Sequence, residues 1–215
     1  DDVTLRFTAS ESIATPIVTF RSGGDAITDG SVVYSNTSGN TWTAVYTANA
    51  SDTDGAVTYS IAFSDTSGNA GTAVTSGSGS VTTDTTAPTL SNVSIASDNT
   101  NTSKAKANDD VTLRFTASES IATPTVTFRS GGDAITDGSV VYRNTSGNTW
   151  TAVYTANASD TDGAVTYSIA FSDTTGNAGT AVTSGSGSVT TDTTAPTLSN
   201  CLLYTSPSPR DQRGS

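Results

Sequence analysis

Carboxylates are the side chains in this chain whose type and spacing could do chemistry. S-D-T-D-G carries Asp52 and Asp54, S-D-T-S-G-N carries Asp65, and T-T-D-T-T-A-P carries Asp84. The same motifs return further on with Asp160, Asp162, Asp173 and Asp192, and Glu119 stands in S-E-S-I-A-T. Hard oxygen ligands beside backbone carbonyls are what calcium takes. None of these runs is an EF-hand loop, because the D-x-D-x-D-G pattern with a later glutamate is absent. For any one turn alone the simpler reading is an aspartate that caps its own backbone.

Other chemistries find no support. A nucleophilic serine needs a base, yet the chain has no histidine, and its two lysines, Lys104 and Lys106, share one polar loop. Zinc sites are built from His and Cys, and the single cysteine is Cys201, near the C-terminal end. A glycosidase needs two carboxylates across a cleft; the glutamates are Glu11 and Glu119, at matching positions of a duplicated sequence. No enzyme is expected.

That duplication organises the chain. Residues 1–92 match residues 109–200, differing only at Ile17/Thr125, Ser35/Arg143 and Ser67/Thr175. A repeat of roughly 100 residues is large enough to bury its own core. The expected domains are 1–84, a repeat lacking its first strand; 85–192, a complete repeat; and 193–200, the start of a third. Residues 201–215 are set apart: C-L-L-Y-T-S-P-S-P-R-D resembles the translation of a transposase-based sequencing adapter. Both ends of the repeat array look cut. The net charge of −11 argues against nucleic acid, whose phosphates demand Lys and Arg. No run is apolar and long enough to span a membrane.

The carboxylates must be positioned by strands. D-D-V-T-L-R-F-T-A alternates Val3, Leu5 and Phe7 with Thr4, Arg6 and Thr8, the mark of a half-buried strand. P-I-V-T-F-R-S, S-V-V-Y-S, T-W-T-A-V-Y-T and A-V-T-Y-S-I-A-F-S follow the same rule. G-T-A-V-T-S-G-S-G-S-V-T-T reads as a weak edge strand, and P-T-L-S-N-V-S-I-A (88–96) supplies the first strand of the complete repeat. The parity sends all seven aromatic rings of each copy inward, leaving no platform for a sugar. Ile17 and Ser35 fall on outward faces and Ser67 in a turn, as a packed core permits. About seven strands with regular turn signals define an all-β antiparallel sandwich.

S-I-A-F-S-D-T-S-G-N-A-G followed by V-T-T-D-T-T-A-P-T-L-S-N-V-S-I resembles the tandem bacterial immunoglobulin-like domains of large surface and secreted proteins. The resemblance implies tandem immunoglobulin-like sandwiches in long exported arrays, often adhesins and sometimes stiffened by calcium.

Sandwich topology brings the linker aspartate to the pole that carries the turn before the sixth strand. Asp52, Asp54, Asp84, Glu119 and Asp173 are therefore expected to converge, with Asp160, Asp162 and Asp192 as their equivalents one repeat on. Left bare they repel; calcium would bridge them. The expected function is a non-catalytic spacer of a bacterial cell-surface or secreted adhesin-like protein, located outside the cell. Its partners are neighbouring repeats of the same chain, with any glycan or protein ligand held by distal domains. The alternatives are repeats that bind a glycan or protein themselves, or accessory domains of a secreted hydrolase.

Overall fold

The computed structural model describes residues 1–204 apart from Asp29 and Asp137; the adapter-like stretch beyond Tyr204 lies outside the described residues. The first repeat forms β1 (Asp2–Thr8), β2 (Ile17–Ser22), β3 (Asp25–Ala26), β4 (Val33–Ser38), β5 (Thr41–Thr47), β6 (Gly55–Ala62) and β7 (Thr82–Thr83). The second adds β8 (Leu90–Ser97) and β9 (Lys104–Ala105). It then repeats the series as β10 (Asp110–Ala117), β11 (Thr125–Ser130), β12 (Asp133–Ala134), β13 (Val141–Ser146), β14 (Thr149–Thr155), β15 (Gly163–Ala170) and β16 (Thr190–Thr191). Among the described residues no helix is long and apolar enough to cross a membrane.

Each repeat has two sheets. The first has the orders β1-β5-β4 and β3-β2-β6-β7; the second has β13-β14-β10-β8 and β12-β11-β15-β16-β9. The long pairings are antiparallel, and the register sets Val3 opposite Tyr46, Leu5 opposite Ala44 and Phe7 opposite Trp42. Because side chains alternate across a strand, that register sends one set of residues between the sheets and leaves threonines and arginines outside. The chain is thus an all-β antiparallel sandwich protein, as its alternation predicts, and immunoglobulin-like, as the resemblance implies.

By packing, the chain divides into two units. Among the described residues, one holds 1–89 with 117–124 and 170–180; the other holds 90–116, 125–169 and the residues from 181 on. In the first, Phe20 and Tyr46 stack tilted at 4.9 Å; in the second, Phe128 and Tyr154 do so at 4.8 Å. Such pairs add about 1 kcal/mol beyond their burial. Tyr34 and Tyr142 reach the core rim, where their hydroxyls accept the N–H of Val18 and Val126 at 2.8 Å. The G-G turn has a steric reason: a Cβ on Gly23, at φ +57°, would strike the Asp54 carbonyl and the Thr53 side chain.

Two expectations need correction. The rings of the second repeat are buried except for half-buried Tyr142, but in the first only Phe20 and Tyr46 are; Phe7, Tyr34, Trp42, Tyr59 and Phe63 are half-buried. The same sequence lacks a covering strand there, so parity alone does not close the core. The Gly/Ser-rich run is not a continuous edge strand either. It touches the sheet through a bridge at Val74 and regains strand geometry only at β7, because small, flexible residues give a strand little to pack.

The difference in burial is measurable. Phe115→Ala should cost about 3–5 kcal/mol of second-repeat stability, and Phe7→Ala roughly half as much in the first. Urea unfolding followed by Trp150 fluorescence in a Trp42→Phe background, and the converse, separates the two. Equal losses would show that the covering strand does not set the cost.

Candidate functional site

The turn aspartates are occupied by backbone. Asp52, 6% exposed, accepts the Thr28 N–H at 2.7 Å and the Asn49 N–H at 2.9 Å, tying two loops together. Asp160 repeats this with Thr136 and Asn157, both at 2.8 Å. Both carboxylates point into their own loops rather than towards a shared site, because buried N–H groups without water must find an acceptor. In the second, Asp109 is drawn in the same way. Burial pushes its carboxyl up, but bonds from Asn99 and from the backbone and ammonium of Lys106 outweigh this and hold it at about 2.

Asp54 grips the linker. Its Oδ1 accepts the Thr85 N–H at 2.7 Å and hydroxyl at 2.8 Å, and its Oδ2 accepts the Thr86 hydroxyl at 2.5 Å. These donors hold its carboxyl below the usual carboxylate range, the Thr86 hydroxyl foremost. Asp162 makes the same three bonds to Thr193 and Thr194, at 2.7, 2.9 and 2.8 Å. Asp192 accepts the Thr194 N–H at 3.2 Å. The two threonines that follow the aspartate in T-T-D-T-T-A-P are therefore donors to a carboxylate of the preceding turn. Sequence reasoning missed that role because it looked to this motif for its aspartate and not for its threonines.

Three of the carboxylates named from sequence do come together. Within the first unit, oxygens of Asp84, Glu119 and Asp173 lie within 4.8 Å of one another, Asp173 buried and the other two half-buried. Asp173 sits in the D-T-T-G-N turn, where its Oδ1 accepts the N–H groups of Thr175 (2.9 Å), Gly176 (2.6 Å) and Asn177 (2.8 Å) and the Thr175 hydroxyl (2.8 Å). Asn177 Nδ2 donates to the Asp173 Oδ2 at 2.8 Å and to the Asp84 carbonyl at 3.0 Å, linking turn to linker. Asn177 carried a readable signal: it is the last residue of the D-x-x-G-N turn.

The electrostatics differ across the cluster. Burial pushes the Asp173 carboxyl up, yet the bonds from Asn177, Thr175 and Gly176 outweigh it and hold the group at about 2. Among the described residues Glu119 has no such donors. Burial raises its carboxyl, and the negative charges of Asp84, Asp173 and Asp54 raise it further. All the donors are hard oxygens, with neither thiolate nor imidazole among them, so the set suits calcium and not zinc. Oδ1 of Asp173 takes four turn donors, whereas Oδ2 takes Asn177 Nδ2 alone and is the less occupied ligand atom.

No protein-family model and no curated protein matches the chain. Among solved structures it is similar to the I-band fragment I67–I69 of titin, at 12% identity over 90% of this chain and 60% of that one, with a TM-score of 0.45. It is also similar to the D00–D0 domain of intimin, at 13% identity over 87% of this chain and 92% of that one, with a TM-score of 0.27. The chain thus spans less than two thirds of the titin fragment's length.

The depressed carboxyl of Asp173 predicts a pH dependence with a definite sign. Its ordinary value is 3.8 and its folded value about 2, so the stability it contributes is present above the ordinary value and lost as pH falls towards 2. Thermal unfolding between pH 5 and about 2 should show a steeper decline for the unaltered chain than for Asp173→Asn. Parallel declines would remove Asp173 from the folded-state balance.

Proposed function

We propose that these repeats are non-catalytic spacer units of a bacterial cell-surface or secreted adhesin-like protein, stiffened by calcium at Asp84, Glu119 and Asp173. The observation that carries the spacer reading is the carboxylate grip on the linker. Asp54 holds Thr85 and Thr86, and Asp162 holds Thr193 and Thr194 in the same way, so the device recurs with the repeat. A linker fixed at its first residues by charge-assisted bonds transmits position instead of absorbing it. The bacterial and extracellular setting follows the sequence resemblance, and the partners along the array are neighbouring repeats.

Calcium adds neutralisation. Glu119 is raised by burial and by three neighbouring carboxylates, so ionising it costs the folded state. A divalent ion held by Asp84, Glu119 and Asp173 would remove that cost and favour the ordered linker. The remaining turn carboxylates are committed to backbone N–H groups, which leaves this cluster as the place where added charge has most effect. A nucleophilic serine would have no histidine to act as its base.

The sign of the Glu119 shift defines the test. A carboxyl raised in the folded state costs stability once pH exceeds its ordinary value of 4.5. Glu119→Gln should therefore melt higher than the unaltered chain at neutral pH in a chelator. Calcium should raise the melting temperature of the unaltered chain by a few degrees and leave Glu119→Gln unmoved. Identical melting of the unaltered chain in calcium and in chelator would remove the ion from the proposal. The spacer reading has its own check: small-angle scattering should give one extended, rigid profile, and Asp54→Ala should broaden it. A flexible profile for the unaltered chain would contradict a spacer.

A further inference from the structure

One sheet face of the second repeat carries positive charge without a counter-charge. The outward residues of β13, β14 and β10 form cross-strand rows. Val141 stands opposite Val153, and Val153 opposite Thr112; Arg143 stands opposite Thr151, and Thr151 opposite Arg114. Two arginines thus flank one threonine, their backbones about 10 Å apart at the usual strand spacing. Both are exposed, and among the described residues neither takes part in an ion pair or a hydrogen bond. By contrast, Arg129 donates to the Gly132 carbonyl at 3.1 Å, and Lys106 pairs with Asp109 at 2.8 Å. The net charge of −11 shows that carboxylates are not in short supply.

The internal duplication isolates one of these arginines. Of the three positions that differ between the repeats, only Ser35/Arg143 changes charge. The register around it is the same in both copies, β4 against β5 and β13 against β14. Val33 is 69% exposed beside Ser35, whereas Val141 is 53% exposed beside Arg143, so the longer side chain shields part of its neighbour. A groove of about 190 Å³ opens there, lined by Asp110, Ser139, Val141, Arg143, Val153 and Thr155. All six residues belong to the second unit, in the repeat whose covering strand β8 is in place.

The lining specifies a ligand. At one end Arg143 offers a planar fork of donors that matches a carboxylate, and Arg114, across Thr151, adds a second positive charge. Four residues along β14 from Thr151, about 13 Å at the usual rise, Thr155 donates its hydroxyl to Oδ1 of Asp110 at 2.7 Å. Among the described residues Oδ2 of Asp110 takes no bond, which leaves it to accept from a ligand hydroxyl. Exposed Val141 and half-buried Val153 make an apolar floor between the two ends. A neutral sugar would leave the guanidinium unmatched. A simple anion or an acidic side chain would leave Asp110 unmatched, and a second anionic group would meet its charge. The geometry points to a binding site for one carboxylated sugar ring, a uronic acid residue. Its carboxylate lies on Arg143, a hydroxyl on Asp110 and a C–H face on the two valines, which stand in for an aromatic platform. The site is separate from the carboxylate cluster and rests on neither calcium nor the spacer reading.

The probe is methyl β-D-glucuronide, titrated into the isotope-labelled full chain and followed by amide chemical shifts. A ligand of this size should bind at about 1 mM. Shifts should appear at Val141, Arg143, Val153 and Thr155 and be absent at their counterparts Val33, Ser35, Val45 and Thr47. Arg143→Ser, which installs the residue that the first repeat carries, should weaken binding by about tenfold or more and leave the melting temperature unchanged. Methyl β-D-glucoside, which lacks the carboxylate, and acetate, which lacks the ring, should each bind about tenfold more weakly. Absence of saturable shifts at about 10 mM probe would overturn the proposal, as would equal shifts in the two repeats. Equal affinity for the glucoside would do the same, and equal affinity for acetate would reduce the site to an adventitious anion only. An unshifted chain whose Arg143→Ser variant self-associates would show that the arginine guards the β13 edge instead.

Discussion

The aspartate carboxylate accepting backbone N–H groups is the interaction on which each repeat depends. A chain this rich in Ser, Thr and Gly has loops that cannot be held by apolar contact. Their N–H groups are ordered by charge instead, and hydrogen bonds to an ionised acceptor are about twice as strong as neutral ones. Asp52 ties the loop at Thr28 to the one at Asn49, Asp65 and Asp173 close the D-x-x-G-N turns, and Asp54 holds the linker. Among the described residues, ten aspartates are structural in this sense. Glu119 instead faces the carboxylates of Asp84, Asp173 and Asp54.

Between these tied loops the core is thin and depends on every strand. Tyr46 and Tyr154 are buried in both repeats because they stand in β5 and β14, central in their sheets. Leu5 and Leu113, or Val81 and Val189, differ in exposure because they lie where β8 covers one copy alone. The internal duplication thus works as a controlled comparison: residue type is constant and the covering strand is the variable.

Much of this was legible in the alternation. Val3, Leu5 and Phe7 against Thr4, Arg6 and Thr8 fixed the strand and its inward face, and the turn motifs fixed where strands end. The site was legible in part. Topology drew five carboxylates to one place, and the structure gathers Asp84, Glu119 and Asp173 while Asp54 turns to the linker threonines and Asp52 to its own loop. Sequence could not separate these fates, because whether an aspartate meets an ion or an N–H depends on which loop lies over it in three dimensions. The glycines at 77 and 79 were read as signs of a weak strand. Their steric purpose shows only where Gly185 and Gly187 lie beneath β8.

Hydrogen exchange at Thr85 and Thr193 tests the carboxylate grip most directly. Both amides stand in short linkers that lack regular strand structure, so only Asp54 and Asp162 give them a reason to exchange slowly. Slow exchange at both in the unaltered chain, abolished at Thr85 by Asp54→Ala and retained at Thr193, is the expected result. Exchange at the rate of an unstructured peptide in the unaltered chain would contradict it, and the linker would then be free.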